Sequence, residues 1–214
     1  MNDRHPRSSA TRRILIGVLI AALLLLAAAV AMMWPMLTHQ SAGGSGHEVP
    51  EGFVAATSAT GADGRTRILE VFAEDGDPAE LADLREGEIL VVRGSGYDPE
   101  IGIYVSICMI PSLPEEKPGP CLGGLPEGAM EGDAAGENTP LTSSWITDAW
   151  AWRAFATKGY DDPEAGSFEV RLLVPPPAQD GLHCEHVLCA ITTRADHTAG
   201  SDRVQDLQLP VAFG

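Results

Sequence analysis

Residues 14–37 read ILIGVLIAALLLLAAAVAMMWPML, 24 positions without one charged side chain. As a helix rising 1.5 Å per residue this run covers about 36 Å, more than the roughly 30 Å of a bilayer's hydrocarbon core. It has no polar stripe to turn toward water, so it predicts a transmembrane helix. A cleaved signal peptide is the rival reading. The apolar region of such a peptide is usually about 7–15 residues and ends at a small-residue cleavage site. Here the run is longer, its only Ala-x-Ala matches lie inside it, and no lipobox cysteine follows. Length therefore favours an uncleaved anchor that meets membrane lipid through residues 14–37. Residues 1–13 carry Arg4, Arg7, Arg12 and Arg13 against Asp3, and no Lys or Arg follows the run until Arg65. That asymmetry predicts a cytoplasmic N-terminus and an extracytoplasmic remainder, with Trp34 at the far interface.

Beyond the run, residues 38–214 hold 10 basic against 29 acidic side chains. A surface of that charge repels nucleic acid and anionic headgroups, so neither is an expected partner. Residues 38–66, rich in Gly, Ser, Ala and Thr, read as a flexible linker, with His39 and His47 as solvated linker histidines. Residues 67–214 are long enough for one domain with a hydrophobic core.

That domain reads as short strands between turn signals. RILEVFA (67–73), EILVVRGSG (88–96), IGIYVSICMI (101–110), SSWITDAWAWRAFA (143–156), SFEVRLLV (167–174), HVLCAITTR (186–194) and VQDLQLPVAF (204–213) make seven. In the first, Leu69 and Val71 alternate with Ile68, Glu70 and Phe72. EDGDPAELADLREG (74–87) is a polar connection in which residues 79–84 can form a helical turn at most. A low-complexity insertion spans residues 111–143 and has no expected regular structure. Seven strands and no helix after the membrane predict an all-β, antiparallel β-sandwich.

Four cysteines, Cys108, Cys121, Cys184 and Cys189, lie on the oxidising side in this orientation, which predicts two disulfides. Three pairings exist. The clasp between second and sixth strands of antibody-type sandwiches has no cysteine to use in EILVVRGSG, so local staples, Cys108–Cys121 and Cys184–Cys189, are favoured. By loop closure these contribute about 3 and 2 kcal/mol respectively. A zinc site from His183, Cys184, His186 and Cys189 is the alternative, weakened because extracellular thiols are usually oxidised.

Residues 84–108, LREGEILVVRGSGYDPEIGIYVSIC, run from a polar turn through a strand and a glycine-rich bend to a strand ending in cysteine. A second cysteine follows within one loop. AGSFEVRLLV (165–174), HCEHVLC (183–189) and QLPVAF (208–213) then give a strand, a close cysteine pair and a terminal strand. In this order the chain resembles the neocarzinostatin-like proteins, secreted actinobacterial β-sandwiches, over about residues 67–213. The resemblance implies an immunoglobulin-like seven-stranded sandwich with Cys108–Cys121 and Cys184–Cys189 bridges. It also implies a cleft for an apolar chromophore beside the first bridge, where Ile110 stands at a position that is aromatic in the best-known member. Haem or another apolar molecule is the cargo that the alternative reading, a tethered chromoprotein-like binder, would imply. The anchor, the 111–143 insertion and the short PPPAQDGLH arm all depart from a diffusible carrier.

Two regions offer binding chemistry. Trp145, Trp150 and Trp152, with Phe155, crowd one expected strand, where Trp150 and Trp152 share a face with Asp148 and Ala154. Such side chains either pack in a sandwich core or form an aromatic platform for a partner. The second region is the polar loop TTRADHTAGSDRVQD (192–206), with Arg194, Asp196 and His197. Loops at sandwich ends bind partners, but aspartates there also set turns and pair with arginines. Asp196 and His197 are a fragment of a catalytic set, yet no Gly-x-Ser-x-Gly, His-Glu-x-x-His, Walker or dinucleotide motif accompanies them. Glu115–Glu116 and Asp161–Asp162 read as solvated acids, and Asp75 and Asp77 lack the ligand spacing of a calcium loop. No catalytic residue, metal or cofactor is expected. The sequence thus predicts a non-enzymatic, membrane-anchored interaction module of the bacterial cell envelope with a membrane or envelope protein partner. A tethered small-ligand binder and an envelope hydrolase are the alternatives.

Overall fold

The computed structural model describes residues 9–124, 139–179 and 181–214. The chain divides into two units, Met1–His39 and Gln40–Gly214. The first is one helix, α1 (Ser9–Thr38), whose window Thr11–Trp34 has a hydropathy of 3.1. Its Leu, Ile and Val side chains stand exposed around the helix. Within its own unit nothing encloses α1, as fits either a membrane anchor or a signal sequence. It is long and apolar enough to cross a membrane.

Among its described residues the second unit is a β structure of ten strands. β1 (Ala56–Thr60), β2 (Thr66–Ala73), β3 (Ile89–Ser95) and β6 (Phe168–Leu173) form one antiparallel sheet in that spatial order. β4 (Ile103–Met109), β5 (Ser143–Ile146), β9 (Cys189–Ala195) and β10 (Leu207–Val211) form a second, ordered β10-β9-β4-β5. β7 (Ala178–Gln179) and β8 (Leu182–His183) make a small hairpin. The pairs among the described strands are antiparallel. Residues 67–73 place Leu69 and Val71 inside and Ile68 outside, the period-2 pattern of a half-buried strand. In the first sheet Val71, Val92 and Val170 stand in one register row. With Ile103, Val105, Ile107, Ile191 and Leu209 from the second sheet they belong to a single apolar cluster, so both sheets share one core. Both disulfides are the local staples, Cys108–Cys121 and Cys184–Cys189.

The described structure departs from the sequence reading in four places. Residues 143–156 are not one strand: β5 stops at Ile146, and residues 149–156 turn back through Arg153 N to Ala149 O and Ala156 N to Trp152 O bonds. The connection 74–87 is not merely polar, because Leu81 and Leu84 are fully buried and Ala212 N donates to Leu81 O. No helical turn forms there; the leucines plug one end of the core instead.

The third departure is residues 38–66, expected as a linker. They contain β1, which pairs along its whole length with β2. Upstream of β1, the strap 42–47 is fastened by Ala42 N to Asp202 Oδ2 (2.8 Å), Ala62 N to Gly44 O (2.9 Å) and the His47 ring to β10. His47 is therefore not a solvated linker histidine. Its Nε2 lies 3.0 Å from Gln208 O and 3.1 Å from Gln208 N, and burial holds the ring below its ordinary 6.5. A histidine kept neutral by burial contributes stability above its unfolded value, and that stability is lost as pH falls below about 6.5. Acidification from pH 7.5 to 5 is thus expected to raise hydrogen exchange at residues 42–49 ahead of β9 and β10. Uniform exchange across all three would show that His47 does not fasten the strap.

Fourth, the 111–143 insertion is partly structured. Residues 125–138 lie outside the described set, but Met109 N donates to Pro120 O (2.9 Å) and Leu122 N to Ile107 O (2.8 Å), with Leu122 fully buried. With the strap, this loop covers the outer face of the second sheet. That is why β9 and β10 are buried on both faces, unlike strands with one face to water.

Candidate functional site

Register assembles the site. On the outer face of the second sheet, Trp145 lies opposite Tyr104, and Tyr104 opposite Arg194, one row across β5, β4 and β9. A neighbouring row runs Ser143, Ser106, Thr192 and Gln208 across all four strands. Past the end of β9, Asp196 caps a short 3-10 turn (His197–Ala199), which returns His197 over the first row. The turn after β5 brings Trp152 to the same place.

The result is a cluster of four rings. His197 is 4.9 Å from Trp152 and 5.0 Å from Trp145, both edge-on, and Tyr104 is 5.8 Å from Trp145. Edge-to-face contacts at this spacing add about 0.5–1.5 kcal/mol beyond burial. Tyr104 Oη and His197 Nδ1 are hydrogen-bonded at 2.9 Å. The Arg194 guanidinium stands 5.7 Å from the Tyr104 ring centre, and its Nη1 donates to Pro118 O (2.9 Å). Burial, with the Asp196 charge, pushes the Tyr104 hydroxyl up to about 12, so it stays protonated.

Asp196 is fully buried and structural. Its Oδ2 accepts from Trp145 Nε1 (2.9 Å), and its Oδ1 from Thr198 N (2.8 Å) and Thr198 Oγ1 (2.5 Å). Its own amide donates to Gly102 O (2.7 Å). The carboxylate is directed at Trp145 and Thr198, while His197 is bonded to Tyr104; the two neighbours in sequence do not form an acid–base pair. Gly102 is fitted to this carboxylate, because a Cβ there would stand 2.0 Å from Asp196 Oδ2. Gly102→Ala is therefore expected to lose about 1–3 kcal/mol, the range for overpacking. Thermal unfolding checks it; an unchanged midpoint would mean that Asp196 can move freely.

Of the sequence-predicted residues, Trp145, Trp152, Arg194, Asp196 and His197 converge. Trp150 does not join them: it is 78 % exposed on the turn, because the strand that was to align it with Trp152 ends four residues earlier. Ile110 lies at the opposite end of β4, half-buried, with its amide donating to Leu188 O (2.9 Å). Sequence reasoning missed Tyr104. Its signal was present in the alternation of Ile103, Val105 and Ile107 with Tyr104 and Ser106, which sends the tyrosine to the face opposite the core.

The described cluster presents ring faces, an exposed imidazole and a shielded guanidinium. Among the described residues no three His, Cys, Asp or Glu side chains gather to hold a metal. With Cys184 and Cys189 bridged, the His183–Cys184–His186–Cys189 alternative lacks thiolates. Comparison with family models, with curated proteins and with solved structures yields no match for this chain, so its function is read from its own residues.

Proposed function

We propose that this chain is a non-enzymatic interaction module of the bacterial cell envelope, held by one transmembrane helix with its N-terminus cytoplasmic and its β domain outside. On this reading the domain is an immunoglobulin-like sandwich of the neocarzinostatin type, and the whole chain is an accessory subunit of a membrane protein complex. The two-sheet core and two local bridges support the fold kinship, and the arginines before α1 support the orientation. The single observation that carries the role is the aromatic cluster around His197, beside a turn that leaves Trp150 and Phe155 exposed. Tryptophan and its aromatic neighbours are the commonest anchors of protein interfaces. A hydrolase reading draws little support, since Asp196 is spent on Trp145 and Thr198 and Tyr104 holds its proton.

The test is site-specific photocrosslinking in native membranes, with the photoreactive residue at position 150 or at position 115 on the far loop. The expected result is one discrete protein adduct from position 150, absent from position 115 and lost on Trp152→Ala. Equal adducts from both positions, or none, would overturn the assignment. Thiol labelling of single cysteines placed before residue 9 and at exposed Ser201, in intact cells, checks orientation: only the latter is expected to react.

A further inference from the structure

The chain has two lysines, Lys117 and Lys158. Lys158 is engaged inside the fold: it is 9 % exposed, and its Nζ donates to Asp161 Oδ1 (2.5 Å) and Glu169 O (3.1 Å). Lys117, half-buried in the 111–124 loop, differs. Among the described residues its Nζ has no hydrogen bond or ion pair, although residues 38–214 hold almost three acids per base. Nor is this nitrogen one of the buried side-chain atoms left without a partner, so it meets solvent.

The surroundings of Lys117 are cationic. Arg194 Nη1 donates to the carbonyl of the next residue, Pro118 (2.9 Å), and a Cβ on Gly119 would stand 3.3 Å from the same Nη1. The guanidinium therefore lies against the 118–119 backbone, and among the described residues no carboxylate stands within ion-pair distance of it. The loop is fixed there, because Gly119 N donates to Met109 O (3.2 Å) and Met109 N to Pro120 O (2.9 Å). Arg203 is near enough for its charge to reach Lys117, and its own partner Asp206 has a carboxyl that burial pushes up to about 7. Burial first, then Arg194 and Arg203, lower the Lys117 amine to about 8, against the opposite pull of Asp206 and Asp196. The exposed Glu115 and Glu116 precede it on its own loop. At pH 7 about a tenth of such an amine is free base, against about 0.03 % of an ordinary lysine. Partial desolvation beside other cations is how a lysine becomes nucleophilic at neutral pH.

We propose that Lys117 is a covalent capture site for small anionic carbonyl compounds, with the Arg194 guanidinium as the counter-charge. The free amine attacks the carbonyl carbon and forms a C–N bond. The resulting carbinolamine loses water, made of the carbonyl oxygen and both amine protons, and a C=N bond to Nζ remains. No oxidant or reductant takes part. A carboxylate or phosphate on the same molecule meets Arg194, which no acid of the described domain occupies. The site holds an adduct and turns nothing over, so it stands beside the interaction reading and does not rest on it.

The probe is 4-formylbenzoate, added to the full-length protein in phosphatidylcholine nanodiscs, whose lipid has no amine to compete. Cyanoborohydride fixes the imine, and peptide mapping by mass spectrometry separates Lys117, Lys158 and the N-terminal amine. The expected result is labelling of Lys117 about tenfold or more above Lys158, and about tenfold weaker with the neutral methyl 4-formylbenzoate. Unfolding the protein in guanidinium chloride should abolish the preference between the lysines. Trace acetylation with acetic anhydride across pH, mapped in the same way, should be half-maximal at Lys117 near pH 8. Arg194→Met should raise that midpoint, since a like charge is removed, and bring 4-formylbenzoate down towards its ester. Equal labelling of the two lysines, a preference that persists after unfolding, an ester as effective as the carboxylate, or an acetylation midpoint near the ordinary 10.5 would each overturn the proposal. The ester comparison uses the unaltered protein, so it decides even if Arg194→Met does not fold.

Discussion

Asp63→Ala is expected to lower the unfolding free energy of the β domain by about 3–5 kcal/mol, although Asp63 lies in a Gly-rich turn before β2. The reason is Arg67, whose guanidinium is only 1 % exposed. Asp63 meets it with two oxygens, Oδ1 to Nη1 at 3.0 Å and Oδ2 to Nη2 at 2.6 Å, while Gln205 Oε1 takes Nε at 2.5 Å. Removing the carboxylate leaves a buried cation with neutral partners only. The same pairing holds the Asp63 carboxyl below its ordinary 3.8. Its share of stability is therefore complete above that value and lost as pH falls through the lowered one. Denaturant unfolding of Asp63→Ala beside Asp75→Ala is the measurement, the second being an exposed acid expected to change stability by about 0.5 kcal/mol or less. Adding Arg67→Met to Asp63→Ala should recover much of the loss, because no unpaired charge then remains. If Asp63→Ala is as mild as Asp75→Ala, the Asp63 carboxylate is not what holds the buried Arg67 guanidinium in place.

Trp145→Ala is the second large effect, expected at about 3–5 kcal/mol for removal of a buried aromatic side chain. The indole fills the centre of the ring cluster and supplies one of the donors to buried Asp196. Trp145→Phe separates the two contributions. It keeps an aromatic ring but leaves Asp196 Oδ2 without its indole donor, for an expected loss of about 1–3 kcal/mol. Trp150→Ala, on the exposed turn, should leave stability within about 0.5 kcal/mol of the parent protein. Equal losses for the Phe and Ala variants at position 145 would show that the hydrogen bond to Asp196 decides the site; no loss for Phe would show that packing alone does.

These residues also mark how far the sequence could be read. Alternation in 67–73 put Leu69 and Val71 in the core, and cysteine positions pointed to two local bridges. An uncharged run of 24 residues identified the helix. Each of these signals is local: a side-chain period, a loop length or a hydropathy that the tertiary fold does not alter. The sequence also pointed to Trp145, Trp152, Arg194, Asp196 and His197, but not to their arrangement. That depended on β5 ending at Ile146 so that a turn could carry Trp152 onto His197.

Long-range contacts were hidden by composition. Residues 38–66 look like a tether because small residues are common in linkers, yet His47 pairs with Gln208 at a separation of 161 residues. Within the same stretch, Asp63 closes on Arg67 only because β2 buries that guanidinium against Gln205. Leu81 and Leu84 read as isolated apolar residues in a polar loop until the chain end passes beside them. What the sequence determined by itself was the elements with their own internal period or charge pattern. What only the tertiary structure decided was which buried polar group meets which, since that pairing depends on distant segments arriving at one place.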